Sequence, residues 1–176
     1  MAWPTHVAVA VNVSAVQFVR GTILPDVMRA LAASGLPARR LELEITESTM
    51  FKDSASVLAA MHALQERGVR IAVDDFGTGF SSLSHLRSFP FDHLKIDRSF
   101  VRDAPERPDL CAIIHGVAVL AQGMQMETTV EGVEAEEQLR AVRPLGCTSV
   151  QGYLLGRPDS AADVGALVAV PPAPPA

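Results

Sequence analysis

Cysteine is scarce: Cys111 and Cys147 are the only two among 176 residues. Two cysteines exclude a disulfide scaffold and suit a reducing compartment. Long apolar runs are missing as well. The longest, at 7–11 and 117–121, fall far short of the ~20 residues a membrane-spanning helix needs. The start, Met-Ala-Trp-Pro-Thr-His, lacks the basic and apolar stretches of a signal peptide. Basic residues are outnumbered, with 15 Lys+Arg against 20 Asp+Glu and a net charge of −5. That excludes a broad basic surface for DNA or RNA. A ligand carrying phosphates would need bound cations to help hold it. No Cys/His constellation is present: His6, His62, His85, His93 and His115 are scattered outside any zinc-like spacing. No nucleophilic Ser or Cys stands with a partner His, which argues against acyl-enzyme chemistry. At 48% hydrophobic and 20% charged, the chain is predicted to be one soluble, cytoplasmic, globular domain.

What is present is regular alternation. Strand-like runs at 7–13, 40–46, 69–74, 93–97, 127–131 and 149–151 alternate with helical segments. The helices are predicted at 22–34, 53–67, 82–88, 109–122, 135–142 and 160–168. Gly35, Gly68 and Gly123 supply stops, Pro25 sits in a first turn, and Asp53 is a predicted cap. Residues 171–176, Pro-Pro-Ala-Pro-Pro-Ala, predict a disordered tail. The expected division is a barrel unit over 1–168 and a proline-rich tail over 169–176. Strands alternating with helices imply right-handed βαβ units and a parallel sheet.

An open doubly wound sheet and a (β/α)8 TIM-type barrel both fit that alternation. Side-chain parity separates them. Val7, Val9, Val11 and Val13 share one face of the first strand, and Ala8, Ala10 and Asn12 the other. Glu42, Glu44 and Thr46 oppose Leu41, Leu43 and Ile45. Ala72 and Asp74 oppose Ile71 and Val73; Lys95 and Asp97 oppose Leu94 and Ile96. Thr129 with Glu131, and Ser149 with Gln151, continue the small and polar face. An open doubly wound sheet needs two greasy faces, because helices cover both. One greasy and one polar face fit a barrel, with polar groups near its C-terminal mouth. The count stops at six. The five steps from Asn12 to Gln151 average about 28 residues, and eight such units make up the usual barrel of about 250 residues. The expectation is therefore an incomplete α/β barrel of about six βα units, with the missing pair ahead of residue 7.

The expected mouth holds Asn12, Glu44, Glu47, Asp74, Asp75, Lys95, Glu131, Glu134 and Gln151. Clusters of Asp, Glu and Asn suit hard divalent cations, Mg²⁺ or Mn²⁺. The adjacent Asp74 and Asp75 can give one carboxylate to each of two metals, and such a pair can act on a phosphodiester. Lys95 can orient a nucleophilic water or neutralise phosphate. A plainer reading pairs Lys95 with Asp97 in a buried salt bridge.

Six ordered motifs carry a resemblance: Asn12-Val-Ser14; Glu42-Leu-Glu44-Ile-Thr-Glu47-Ser48; Asp74-Asp75-Phe-Gly-Thr-Gly79-Phe-Ser-Ser-Leu83; Leu94-Lys95-Ile-Asp97-Arg-Ser-Phe-Val101; Glu131-Gly-Val-Glu134; and Gln151-Gly-Tyr153. Over residues 7–158 the chain resembles the EAL domain family of cyclic di-GMP phosphodiesterases. The resemblance implies an eight-stranded barrel that hydrolyses cyclic di-GMP to linear pGpG with two Mg²⁺ or Mn²⁺ ions. Asn12, Glu44, Asp74 and Asp75 match the family's metal ligands. Lys95 matches the lysine near the attacking water, Glu131 the general base or metal-site glutamate, and Gln151 the glutamine supporting that water. Glu47 matches the anchor of the loop at 77–82, which the family links to metal binding and dimerisation. Glu134 matches the second glutamate of its motif. A homodimer, and an upstream sensory or GGDEF domain in a longer parent, fit the same resemblance.

The departures are specific. The family's naming Glu-Ala-Leu motif, with one metal-ligating glutamate, is absent from these 176 residues. Phe80 stands where Tyr is common, and Val130 where Ala is common. The alternative is a catalytically inactive EAL fragment that serves as a cyclic di-GMP sensor or a protein-interaction module.

Overall fold

The computed structural model describes residues 4–47, 49, 54–79 and 83–167. Six strands form one all-parallel sheet in sequence order: β1 (Val9–Asn12), β2 (Leu41–Thr46), β3 (Arg70–Phe76), β4 (His93–Ile96), β5 (Glu127–Val130) and β6 (Ser149–Val150). The helices are α1 (Ala15–Val19), α2 (Ile23–Ser34), α3 (Ser54–Gln65), α4 (Leu83–Ser88), α5 (Pro108–Gly123), α6 (Glu136–Val142) and α7 (Ala161–Leu167). Strict sequence order with parallel pairing is the winding of a (β/α) barrel, here an arc of six strands. An open doubly wound sheet would reverse its strand order part-way.

The parity read from the sequence decides which face each side chain takes. Leu43, Ile45, Ile71, Val73, Leu94, Ile96 and Val130 are at most 2% exposed. They form one cluster with Val57, Met61 and Leu64 of α3 and with Ile114 and Ala121 of α5. Burying each large aliphatic side chain contributes about 1.5–3 kcal/mol. α2 shows the local logic. Ile23, Val27 and Leu31 recur on one buried stripe, and Gly35 ends the helix at φ +68°.

The structure corrects several expectations. Val11 was predicted to pack under helices but is 43% exposed, because β1 is an edge strand paired only with β2. The segment at 15–19 is a short helix that no periodicity announced. It starts where the Gln17 side chain accepts the Ser14 N–H at 3.1 Å. α3 ends at Gln65 rather than Arg67; the Gly68 N–H closes a turn on the Gln65 carbonyl at 2.7 Å, with Gly68 at φ +86°. β6 is two residues long and stops before Gln151. The Asp53 cap, residues 80–82 of the loop at 77–82 including Phe80, the boundary at 168/169 and the proline-rich tail lie outside the described residues. Among the described residues no helix is long and apolar enough to cross a membrane.

Candidate active site

The strand ends are fixed by backbone bonds. Val13 N–H reaches the Glu44 carbonyl at 2.8 Å, Glu131 N–H the Ile96 carbonyl at 3.0 Å, and Gln151 N–H the Val130 carbonyl at 2.8 Å. These bonds line up Asn12, Glu44, Asp74, Lys95, Glu131 and Gln151 along one edge of the sheet, the C-terminal edge.

Lys95 is the hub. Its ammonium lies 2.7 Å from Glu44 Oε1, 2.6 Å from Glu131 Oε1 and 3.4 Å from Asp74 Oδ1. Its side chain is 6% exposed. Burial alone would lower its proton affinity, but the bonds to Glu131 and Glu44 outweigh that and hold it well above the usual lysine range. The plainer pairing of Lys95 with Asp97 does not occur. Asp97 instead caps the turn at 98–100, accepting the Ser99 N–H at 2.9 Å.

Asp74 and Asp75 are adjacent, so an ideal strand would send them to opposite faces. The structure breaks the alternation locally. The β3–β4 register shifts between Val73 and Phe76, and Asp75 takes φ +54°. As a result Asp74, Asp75 and Glu131 each bring a carboxylate oxygen within 4.8 Å of the other two. Crowding has an electrostatic consequence. Asp75 is pushed up from the ordinary aspartate range by burial, with the Asp74 carboxylate adding to the effect. Burial also raises Glu131, helped by Asp74 and Glu44, and Lys95 only partly offsets the rise. Asp74 Oδ1 is fully buried and accepts no hydrogen bond, the 3.4 Å approach of Lys95 notwithstanding. A buried carboxylate oxygen without a donor, within a set made only of oxygens, fits a hard divalent cation.

The remaining predicted residues surround this centre. Asn12 is the register partner of Glu44 and is exposed at the end of β1. Gln151 and Glu134 line a cleft of about 360 Å³ together with Asp75, Arg98, Glu131 and Tyr153. Glu47 is 5% exposed and lies beneath Gly79; a Cβ on Gly79 would come 3.3 Å from Glu47 Oε2. The segment 131–134 is pinned from two sides. Gln138 Oε1 accepts the N–H groups of Glu134 (2.7 Å) and Ala135 (3.1 Å), while Val133 N–H reaches the Gln151 carbonyl at 3.0 Å. Gln138 was not singled out from the sequence. Its signal was only a polar residue four positions after Glu134.

The EAL domain family pattern matches residues 1–158. The chain belongs to the EAL domain family. It is 41% identical over 161 residues to the bifunctional diguanylate cyclase/cyclic di-GMP phosphodiesterase MucR of Pseudomonas aeruginosa, covering 92% of this chain and 24% of MucR. The EAL domain of Mycobacterium smegmatis DcpA superposes with a TM-score of 0.88 at 38% identity, over 93% of this chain and 75% of that one. Klebsiella pneumoniae BlrP1, in a manganese/cyclic di-GMP complex, gives a TM-score of 0.80 at 29% identity, over 86% and 39%. This EAL chain spans about a quarter of MucR's length.

Proposed function

We propose that this chain acts as an EAL phosphodiesterase, hydrolysing cyclic di-GMP to linear pGpG with two divalent ions, Mg²⁺ or Mn²⁺. The observation that carries the reading is the Lys95 ammonium held between Glu44 and Glu131, beside the Asp74–Asp75 pair. The manganese and cyclic di-GMP bound by BlrP1 support the choice of ion and substrate. Asn12, Glu44, Asp74 and Asp75 hold the ions. Bound there, the ions neutralise the phosphodiester and lower the proton affinity of water. Glu131 is the general base: its raised proton affinity, with burial as the first cause, brings it closer to the working pH. The water oxygen bonds to one phosphorus, its proton passes to Glu131, and the bond from that phosphorus to a ribose 3′ oxygen breaks, that oxygen leaving with the electron pair and taking a proton from solvent to become a hydroxyl. The ring opens to the linear dinucleotide. Lys95 keeps a positive charge beside the water and the phosphate throughout, since its bonds to the glutamates oppose proton loss. Gln151 orients the water from the rim. Glu47 anchors the loop through Gly79, and Glu134 anchors the segment after Glu131. Residues 1–168 form the barrel unit in this reading, with 169–176 outside it.

The alternative reading is a catalytically inactive cyclic di-GMP sensor or protein-interaction module. Hydrolysis of cyclic di-GMP by the purified chain in Mn²⁺ or Mg²⁺, beside Asp75→Ala, decides between the two. The expected result is pGpG formation that falls by about a hundredfold or more in the variant, since losing a ligand itself should exceed the roughly 10–100-fold cost of losing a ligand's outer support. Saturable cyclic di-GMP binding with no turnover by the folded chain establishes the sensor reading instead.

A further inference from the structure

Directly beneath the site lies a second set of polar groups. Glu44, Lys95 and Glu131 bridge β2, β4 and the end of β5. Two residues upstream on the same three strands stand Glu42, His93 and Thr129. They too are joined: His93 Nδ1 is 2.9 Å from Glu42 Oε1, and His93 Nε2 is 2.8 Å from Thr129 Oγ1. The belt continues to β6, where Ser149 Oγ is 2.6 Å from Thr129 Oγ1, and Ser149 itself stands two residues before Gln151. β3 contributes Arg70, whose Nε is 3.5 Å from Glu42 Oε2 and whose Nη2 holds Glu127 Oε2 at 2.6 Å. Five of the six strands thus meet in one inward-facing polar layer.

The belt is built, not incidental. Strands one apart are separated by about 4.8 Å, so side chains of β2 and β4 must reach across β3 to touch. The register makes this possible. Glu42 lies beside Arg70, and His93 lies beside Ala72, whose single methyl leaves the space between them open. Glu42 is 8% exposed and Thr129 5%. Buried polar groups of this kind are costly unless each finds a partner, and here each does. The function proposed for the mouth uses none of them.

We infer that His93, clamped between Glu42 and Thr129, is a positioning residue. It sets the spacing of β2, β4 and β5 and thereby the separation of Glu44, Lys95 and Glu131 one layer above. The inference rests on the proposed divalent-cation role of that upper layer. His93→Phe keeps a ring of similar size and removes both bonds. His93→Gln keeps a donor and an acceptor able to reach one partner. Ile71→Val, fully buried on the opposite face of β3, is the matched packing control.

The test is Mn²⁺ titration of the whole folded chain, alongside thermal unfolding without divalent ions. His93→Phe is expected to weaken Mn²⁺ binding by about 10–100-fold, the usual effect of losing an outer support of a metal ligand. His93→Gln should recover at least half of that loss on a logarithmic scale, and Ile71→Val should leave affinity within about threefold. Unchanged affinity in folded His93→Phe overturns the inference. So does an equal loss in Ile71→Val at matched stability. If the unaltered chain binds no Mn²⁺, the metal reading fails separately, and unfolding still decides the positioning role. His93→Phe and Lys95→Met should then be non-additive, while Ile71→Val and Lys95→Met should add. Additivity in both pairs overturns it.

Discussion

Replacing Lys95 by Met tests the electrostatic account of the site directly. The substitution keeps chain length and apolar volume and removes the charge. It leaves Glu44, Asp74 and Glu131 facing one another without the ammonium that now sits 2.6–3.4 Å from each. Removing one member of a buried ion pair costs about 3–5 kcal/mol, because the remaining charge is uncompensated. The Lys95 side chain is only 6% exposed, so solvent screening does not reduce this much. A domain of this size shifts its Tm by about 2–4 °C per kcal/mol, giving a fall of about 6–20 °C at pH 7 in EDTA. The pH dependence has a definite sign. Lys95 is raised in the folded state above its ordinary 10.5, so its contribution is fully present below pH 10.5 and lost only above that. The deficit of Lys95→Met should therefore be flat between pH 7 and 9. It should shrink in acid, where the orphaned carboxylates take up protons. Mn²⁺ should narrow it too, because the variant, freed of the ammonium, should bind the cation more tightly than the parent; each tenfold gain in affinity narrows the deficit by about 1.4 kcal/mol. The measurement is calorimetry over pH 4–9 with EDTA and with Mn²⁺. A variant within about 1 kcal/mol of the parent at pH 7 in EDTA would refute the reasoning, since the carboxylates would then need no counter-charge.

Two further predictions use other parts of the structure. Glu42 is lowered in the folded state: burial pushes it up, but the bond to His93 and the charges of His93, Arg70 and Lys95 outweigh that. Its contribution is therefore fully present above its ordinary value of 4.5 and lost as pH falls through its lowered folded-state value, so urea unfolding should show Glu42→Gln destabilised at pH 7, with the difference shrinking progressively below pH 4.5. Gly152→Ala would place a Cβ 2.1 Å from the Val133 carbonyl oxygen and 2.3 Å from its nitrogen; backbone must move, at about 1–3 kcal/mol, and the 131–134 segment should gain amide-exchange rate while β1 and β2 do not.

Much of this was legible in the sequence for a simple reason. A strand buried on one face by helices and on the other by its own barrel interior writes two different alphabets on alternate residues. Leu43, Ile45, Ile71 and Val73 against Glu42, Glu44, Ala72 and Asp74 gave the barrel, its lining and the level of the mouth. Two things escape a period-two reading. Asp75 reaches the same locus as Asp74 only because its backbone is left-handed and β3 slips against β4. The partners of Lys95 also come from strands 36 and 51 residues away in sequence, whereas the nearest carboxylate, Asp97, is taken up by the Ser99 N–H. Parity tells which face a side chain takes; it does not tell whom it meets there. Val11 failed for the opposite reason: its parity was correct, but an edge strand has nothing to bury it.

Charge explains why such a site belongs in an acidic chain. Within the cluster, Glu44, Asp74, Asp75 and Glu131 face one ammonium, an excess of three negative charges. The cyclic dinucleotide of the proposed function would bring two anionic phosphodiesters to that same place. With one divalent ion the cluster is still at −1 and repels them. With two, as in the function proposed above, it would reach +1, and only then would the site attract a phosphodiester and the charge that develops during attack. The proton affinities of Asp75 and Glu131 are raised first by burial, and the neighbouring carboxylates add to the rise, against Lys95 in the case of Glu131. The net charge of −5 therefore fits a phosphate ligand on one condition, that two cations bind with it. On the proposed two-ion function, the dependence of hydrolysis on divalent-ion concentration is expected to be second order at low occupancy, and a first-order dependence through the whole range would speak against a two-ion site.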